Sequence, residues 1–126
     1  MIRVVCALIE NEGKTLVVQR GENMSLPYKW EFLGGKIEAG ETEEACIQRE
    51  IQEELGIVIK PNRRLTPSTH AYPKATIHLI PFMAEHIGGE IVLTEHKSYR
   101  WLRKDELVSL DWAEADIPIV NEYLTL

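Results

Sequence analysis

The chain has 126 residues, of which 44% are hydrophobic and 27% are charged. These values are typical of one globular domain spanning residues 1–126, and they exclude an intrinsically disordered or low-complexity chain. The 20 acidic residues outnumber the 14 basic ones, which gives a net charge of −6. A protein that neutralises duplex phosphates carries the opposite sign, so no duplex nucleic acid is expected as a partner.

Compartment and membrane association are predicted from the cysteines and the apolar runs. Cys6 and Cys46 form no closely spaced pair, which favours a reduced, cytoplasmic protein over a zinc or redox site. The apolar run at residues 4–9 is short for a signal-peptide core. No stretch approaches the roughly 20 apolar residues that span a bilayer, so we expect no membrane partner. The composition is compatible with a monomer or a homodimer.

The first third of the chain predicts strands and loops. Residues 4–9 predict a buried strand, residues 11–13 a turn and residues 16–18 its hairpin partner. Residues 20–29 are polar and contain a proline, which predicts a loop. Residues 30–33 predict a short strand that leads into a pair of glycines.

One helix is predicted over residues 41–55, which contain neither proline nor glycine and are rich in Glu, Gln, Ala and Ile. Thr42 is a suitable N-cap and Gly56 a suitable C-terminal stop. This is the strongest helix signal in the chain.

The remainder is predicted to be mostly strand. Residues 76–86 are β-branched and apolar, although Pro81 indicates a bulge or an edge position there. A hairpin turn is predicted at residues 88–89, followed by strands at residues 91–93 and 99–102. A helical turn at residues 104–107 and a terminal helix beginning near Asp116–Pro118 complete the pattern. These mixed elements predict an α/β domain with helices packed on a mixed sheet.

Three acids lie on one turn of the predicted helix. At about 100° per residue, Glu50, Glu53 and Glu54 fall within roughly 100° of arc. The apolar residues on a flank of the same helix are Ile47, Ile51 and Leu55. An acidic face is by itself most often a solvated surface. A hard divalent cation such as Mg²⁺ would relieve the repulsion between the acids and would also bind substrate phosphates.

The spacing around these acids is specific. Gly35 is followed after five residues by Glu41 and after seven more by Arg-Glu-Ile-Gln-Glu-Glu-Leu-Gly-Ile at residues 49–57. This segment resembles the sequence box of the Nudix hydrolases at every fixed position. Residues 30–36, Glu95 with the following His, and residues 115–118 extend the resemblance to MutT-like members and to the CTP pyrophosphohydrolases of that family.

The resemblance implies a fold and an activity. The implied fold is an α/β/α sandwich with a central mixed sheet. The implied reaction converts a nucleoside triphosphate into a monophosphate and pyrophosphate by attack of water, with Mg²⁺ or Mn²⁺ as cofactor. Oxidised or modified nucleotides such as 8-oxo-dGTP are the first expected substrates, which would make the enzyme a sanitiser of the nucleotide pool. CTP or a modified dCTP is the second.

The resemblance also implies roles for individual residues. The expected metal ligands are Gly34 through its carbonyl, Glu50, Glu53, Glu54 and Glu95. Glu50 and Glu95, in that order, are the candidates for the general base. Arg49 is expected to orient a helix carboxylate and Glu41 to hold the adjoining loop. On the residues alone, Glu95 would be an ordinary exposed acid.

The expected substrate contacts are Arg20, Glu31, Phe32, Leu33, Gly34, Lys36 and Asp116. Asp116 decides the base in this interpretation, although an Asp before a helix is equally expected as an N-cap. An ionised Asp only accepts hydrogen bonds, which suits the exocyclic amine of cytosine, whereas a protonated Asp also donates and admits oxidised guanine. Leu33 stands where many MutT-like relatives have proline, which weakens the transfer of base specificity.

Two alternatives remain open on the sequence. A catalytically inactive Nudix fold would bind nucleotides without turning them over, although the complete set of box acids argues against it. A Nudix enzyme for dinucleoside or sugar-linked diphosphates is the other alternative. The small size of the chain argues against the sugar-linked form.

Overall fold

The computed structural model describes residues 1–126 as eight strands in one sheet and three helices. The strands are β1 Ile2–Asn11, β2 Lys14–Gln19, β3 Trp30–Glu31, β4 Gly34–Lys36, β5 Val58–Arg64, β6 Ser68–Tyr72, β7 Ala75–Gly88 and β8 Ser98–Leu102. The helices are α1 Glu43–Leu55, α2 Lys104–Leu107 and α3 Ile117–Tyr123, and a short 3₁₀ turn at Glu114–Asp116 leads into α3. No helix combines the length and the hydrophobicity that crossing a bilayer requires.

The sheet is mixed, as the sequence predicts. Its main order is β3-β2-β1-β7-β5, with β4 beside β1, β6 beside β7 and β8 beside β2. β1 and β7 are parallel along their length, and every other pair is antiparallel. The hairpin between β1 and β2 turns at Glu12 and Gly13, both with positive φ, as a two-residue loop requires.

β1 is buried on both faces and separates two cores. Val5, Ala7 and Ile9 point to the core under α1, whereas Cys6 and Leu8 point to the core under α2 and α3. This alternation follows from the period of two residues in a strand. Helices therefore cover both faces of one sheet, which confirms the predicted α/β/α sandwich.

α1 forms where the sequence predicts it. The Thr42 hydroxyl accepts a hydrogen bond from Ala45 N, and Gly56 ends the helix with φ of 73°. The apolar flank is buried, as expected. The helix begins at Glu43 rather than at residue 41, because the Glu41 carboxylate accepts a hydrogen bond from Glu38 N in the preceding turn.

The predicted edge or bulge at Pro81 is wrong. Pro81 lies inside β7, which has strands on both sides, and it pairs with Cys6 of β1 without a register shift. Its carbonyl accepts from Leu65 N, in the gap between the end of β5 and the start of β6. The N–H and C=O groups of one strand residue point to the same side. The position where Pro81 lacks an N–H therefore faces this gap, and no hydrogen bond of the sheet is lost there.

The predicted hairpin at residues 88–89 and strand at residues 91–93 are also wrong. Gly89 has φ of +90°, and a side chain there would lie 2.7 Å from the Gly56 carbonyl oxygen. The chain instead crosses the C-terminal end of α1, where Val92 N donates to Leu55 O. Ile91 and its neighbour Leu93 pack against the α1 core. Their hydrophobicity therefore serves core packing and not a strand ladder.

Three strands, β4, β5 and β6, were not among the predicted elements. β5 buries only Ile59 and contains Pro61, and β6 is a short polar strand. Both pair with β7 at the side away from β1. Their residues carry little hydrophobic alternation, so their pairing depends on β7 rather than on a local signal. The predicted helical turn at residues 104–107 and the terminal helix are present as α2 and α3.

Candidate active site

The two glycines after β3 make room for other parts of the protein. A side chain at Gly34 would overlap the Val5 carbonyl and lie 2.7 Å from Cα of Cys6. A Cβ at Gly35 would lie 2.5 Å from Oε1 of Glu50. A pair of glycines directly after a strand can let the backbone approach a ligand closely. The structure shows that Gly34 lets β4 pair tightly with β1, and that Gly35 lets the Glu50 carboxylate rest on the backbone.

The three glutamates of α1 differ in exposure. The Glu50 side chain is 15% exposed and the Glu53 side chain 59% exposed, while Glu54 is intermediate. Burial raises the pKa of Glu50, the nearby Arg49 guanidinium opposes that shift, and the charges of Glu53 and Glu54 add to it. The three acids therefore lie on α1 as predicted, and Glu50 is the one that rests against Gly35.

Arg49 links these acids to the preceding loop. Its guanidinium donates to both Glu41 oxygens, at 2.6 and 3.0 Å, and to Glu50 and Glu53 at 3.1 Å each. The hydrogen bonds from Arg49, followed by the one from Glu38 N, lower the pKa of Glu41 to about 2. Arg49 and Glu41 thus form a planar, bidentate pair that orients Glu50.

The donor set of this turn fits a hard divalent cation. Glu50, Glu53 and Glu54 offer only carboxylate oxygens, the ligand type that Mg²⁺ prefers. They are not gathered into a complete set of three ligands as they stand. Arg49 engages the first two, and Thr94 Oγ1 donates to Glu54 Oε2 at 2.7 Å. A carboxylate offers about four lone-pair sites, so these partners leave acceptor positions free for a cation.

Glu95 lies outside α1 on the segment that leads into β8. Its side chain is exposed, and the residues on either side of it are both anchored. Thr94 contacts Glu54, and His96 Nε2 lies 2.7 Å from Glu31 Oε2. The three residues 94–96, named the strap below, therefore run from the acidic helix to β3.

A buried carboxyl group marks the other end of the site. Asp116 is 4% exposed, and its Oδ2 accepts from Phe32 N at 2.9 Å. Although Asp116 directly precedes α3, its side chain makes no capping hydrogen bond. Burial, then the charge of Glu31, raises the pKa of Asp116 well above its usual range, against the opposing effects of the Phe32 N–H and Arg20.

The other predicted substrate-binding residues differ in their burial and in their partners within the protein. Arg20 donates two hydrogen bonds to Glu31, at 2.9 and 3.0 Å, and further bonds to Ser25, so it is held by protein partners. Lys36 is exposed at the end of β4. Leu33 is 4% exposed within the α1 core, which places its side chain away from the site. The Leu33 side chain is a core residue, and the predicted substrate contact of Leu33 stays a prediction.

Phe32 and His96 are two residues whose contacts within the protein the sequence did not indicate. Phe32 is 3% exposed, and its ring packs against the ring of Trp112 with centroids 4.8 Å apart and planes tilted by 38°. His96 was noted only as a neighbour of Glu95, yet its side chain is 5% exposed and bonded to Glu31. The adjacency of Glu95 and His96 was the only available signal, because Glu31 is 65 residues away.

Comparison with known proteins agrees with this geometry. The model of the NUDIX domain family matches residues 1–123. The CTP pyrophosphohydrolase of Escherichia coli K12 is 32% identical over 126 residues, covering 100% of this chain and 93% of that protein. The 8-oxo-dGTP diphosphatase of Haemophilus influenzae is 29% identical over 125 residues, covering 98% and 92%. The solution structure of a MutT protein from Staphylococcus aureus, titled as a Nudix hydrolase, is 42% identical with a TM-score of 0.79, covering 98% and 95%.

The match over nearly the whole chain, together with the glutamate-bearing helix and the sandwich fold, places this chain in the Nudix family. It is a MutT-like Nudix hydrolase. Enzymes of this family act on nucleotide substrates and generally require a divalent metal ion.

Proposed function

We propose that the protein is a Mg²⁺-dependent nucleoside triphosphate pyrophosphohydrolase that releases a nucleoside monophosphate and pyrophosphate. The observation that carries the proposal is the turn of α1 that bears Glu50, Glu53 and Glu54, of which Glu50 lies against Gly35. Phosphoryl transfer depends on charge neutralisation and on a positioned water more than on covalent help from the protein. Three carboxylates on a rigid helix, oriented by one guanidinium, suit that task.

We assign the roles from the membership in the Nudix family together with the contacts of Arg49 and Glu41. Glu50, Glu53, Glu54 and the Gly34 carbonyl would hold Mg²⁺, with Mn²⁺ as a substitute, and Glu95 would complete the set. The bound cation would neutralise phosphate charge and lower the pKa of a coordinated water. Arg49 and Glu41 keep the helix carboxylates in place from behind the site.

We propose Glu50 as the first candidate for the general base and Glu95 as the second. Glu50 is held between Arg49 and the Gly35 backbone, so its carboxylate has one orientation, which a proton acceptor requires. Glu95 is exposed and depends on the strap for its position. This difference in anchoring supports the order of the two candidates.

Oxidised purine nucleotides such as 8-oxo-dGTP are our first substrate class. Burial and Glu31 favour the protonated form of Asp116, and a protonated carboxyl group can donate one hydrogen bond to a base edge while accepting another. The H. influenzae relative carries the matching name. We infer from this chemistry a role in clearing damaged nucleotides from the cytoplasmic pool.

CTP or a modified dCTP is the second substrate class. The specific observation in its favour is the relative named CTP pyrophosphohydrolase, which matches the full length of this chain. An ionised Asp116 would accept from the exocyclic amine of cytosine. The ionisation state of Asp116 in the complex thus separates the two classes.

A substrate panel tests the proposal. The purified protein is incubated with Mg²⁺ and, separately, 8-oxo-dGTP, dGTP, CTP, dCTP and 5-methyl-dCTP, with chromatographic detection of the nucleotide product and enzymatic detection of pyrophosphate. Equal amounts of monophosphate and pyrophosphate are expected, with the highest kcat/KM for 8-oxo-dGTP. An EDTA-treated sample is the control for metal dependence.

Each alternative has its own outcome in this panel. Release of single phosphate from every substrate would contradict the proposed cleavage site. Tight nucleotide binding without any product would indicate the catalytically inactive module. The highest kcat/KM for a cytosine nucleotide would select the second substrate class and leave the cleavage chemistry intact.

A further inference from the structure

The strap is anchored at both ends by side chains from distant parts of the chain. At its start, Thr94 Oγ1 donates to the Glu54 side chain at 2.7 Å and to the Glu54 carbonyl at 3.3 Å. At its end, His96 Nε2 meets Glu31 Oε2 at 2.7 Å. Glu95, between the two anchors, is exposed and makes no side-chain hydrogen bond of its own.

The His96 anchor is built into the protein interior. The His96 side chain is 5% exposed, and the Glu31 side chain that meets it is 16% exposed. Glu31 also receives two hydrogen bonds from Arg20, at 2.9 and 3.0 Å. A carboxylate bonded to two nitrogen atoms, Nη1 of Arg20 and Nε2 of His96, in a partly buried setting holds a fixed geometry, because breaking one bond leaves a poorly solvated group unpaired.

The backbone of the strap is also tightly seated. A Cβ at Gly21 would lie 3.2 Å from the Glu95 carbonyl oxygen, so the strap backbone rests directly on Gly21. Lys97 N donates to Gln19 O at 2.9 Å immediately after the strap. The strap thus lies against the end of β2 before it enters β8.

We propose that His96 is a positioning residue, which acts through Glu95 by locking the strap to Glu31. The inference rests on the proposed function in one respect, namely the part that Glu95 takes in the reaction. A surface loop without such anchors samples several conformations, and a displacement of about 1 Å in a reacting group lowers the rate by up to about 10²-fold. His96 thereby fixes the residue that directly follows Thr94, whose hydroxyl donates to Glu54.

The first test separates positioning from general destabilisation. His96→Ala is expected to lower kcat by about tenfold with KM changed by less than about threefold, because Arg20 still holds Glu31 for the substrate. His96→Gln, whose amide can still donate to Glu31, is expected to restore kcat to within about threefold of the wild type. The matched control is His78→Ala, which removes a histidine whose Nδ1 bonds to Thr69 on β6, away from the strap.

A double-mutant cycle tests whether His96 acts through Glu95. In the Glu95→Gln background, His96→Ala is expected to change kcat by less than about twofold, since the group that it positions is already disabled. A further tenfold loss in that background would overturn the proposal, as would a wild-type kcat for His96→Ala. Failure of His96→Gln to restore kcat would overturn it as well.

Hydrogen–deuterium exchange tests the same inference without any substrate. His96→Ala is expected to raise amide exchange of Lys97, whose N–H donates to Gln19 O directly after the strap, by about tenfold or more, whereas His96→Gln and His78→Ala leave it unchanged. Unchanged exchange in His96→Ala would overturn the positioning role. If the wild-type protein hydrolysed no nucleotide, the proposed function would fail, and the exchange comparison would still decide whether His96 positions the strap.

Discussion

Gly35→Ala tests the contact on which the candidate metal site depends. The added Cβ would lie 2.5 Å from Glu50 Oε1, whereas ordinary van der Waals contact begins at 3.4 Å, so the carboxylate must move by about 1 Å. A displacement of this size in a catalytic group lowers the rate by about 10²-fold, or about 2.7 kcal/mol of activation free energy. We therefore expect kcat/KM of Gly35→Ala to fall by about 10²-fold.

The same substitution should leave the fold intact. The obstructing atoms belong to the far end of a long side chain, which can swing outwards towards solvent. Losing one partly exposed ion pair between Glu50 and Arg49 costs about 0–1 kcal/mol, and the stiffer alanine backbone offsets about 0.4–1 kcal/mol of it. The midpoint of thermal unfolding is expected to stay within about 5 °C of the wild type.

Two further glycine variants serve as comparisons for this measurement. Gly88→Ala is the matched control, because a Cβ there meets nothing within 4 Å, and it should retain both stability and activity. Gly34→Ala meets the backbone of β1, which cannot move aside, and should fail to fold stably. Pyrophosphate release with Mg²⁺ and thermal unfolding are measured on all of them. Wild-type kcat/KM in a folded Gly35→Ala protein would refute the assignment of Glu50 to the reaction.

Three other substitutions probe separate parts of the site. Glu53→Gln removes one carboxylate from an exposed position, so we expect kcat to fall by about 10²-fold with unchanged thermal unfolding, and near-normal turnover would contradict its role as a ligand. Glu41→Gln should cost less activity, and its unfolding free energy should depend less on acid pH than that of the wild type. The pKa of Glu41 is lowered to about 2 in the folded protein, from an ordinary value of 4.5. The ionised Glu41 carboxylate therefore stabilises the fold above pH 4.5, and this stabilisation is lost as the pH falls towards 2. Urea unfolding at pH 7 and at pH 3 would measure the difference. Asp116→Asn keeps an acceptor for Phe32 N but changes the hydrogen-bonding pattern that is offered to the base. The ratio of kcat/KM for 8-oxo-dGTP to kcat/KM for CTP should therefore shift by about tenfold or more. An unchanged ratio would show that Asp116 does not select the base.

The parts of the site that the sequence predicts are those built within one short segment. Thr42, Arg49 and Gly56 lie on or next to one helix, and helix geometry alone determines which of their neighbours share a face. The bond between Arg49 and Glu41 spans only eight residues. Local propensity and spacing therefore sufficed for the acidic helix and its supporting pair.

The predictions that failed concern how distant strands meet. Pro81 looked like an edge residue because proline cannot donate to a ladder, but β5 ends and β6 begins opposite it. Residues 91–93 looked like a strand because they are apolar, but they cover the end of α1. Burial of hydrophobic surface satisfies either arrangement, so composition could not distinguish them.

The chain order and chemistry of the residues by themselves determined the acidic helix, its capping and the hydrolytic class that it indicates. Only the tertiary structure decided that Asp116 reaches Phe32 across 84 residues and that His96 reaches Glu31 across 65. Such contacts depend on the register of a sheet whose strands come from both ends of the chain. No local pattern encodes the position of a partner so far away, because the packing of both cores sets it.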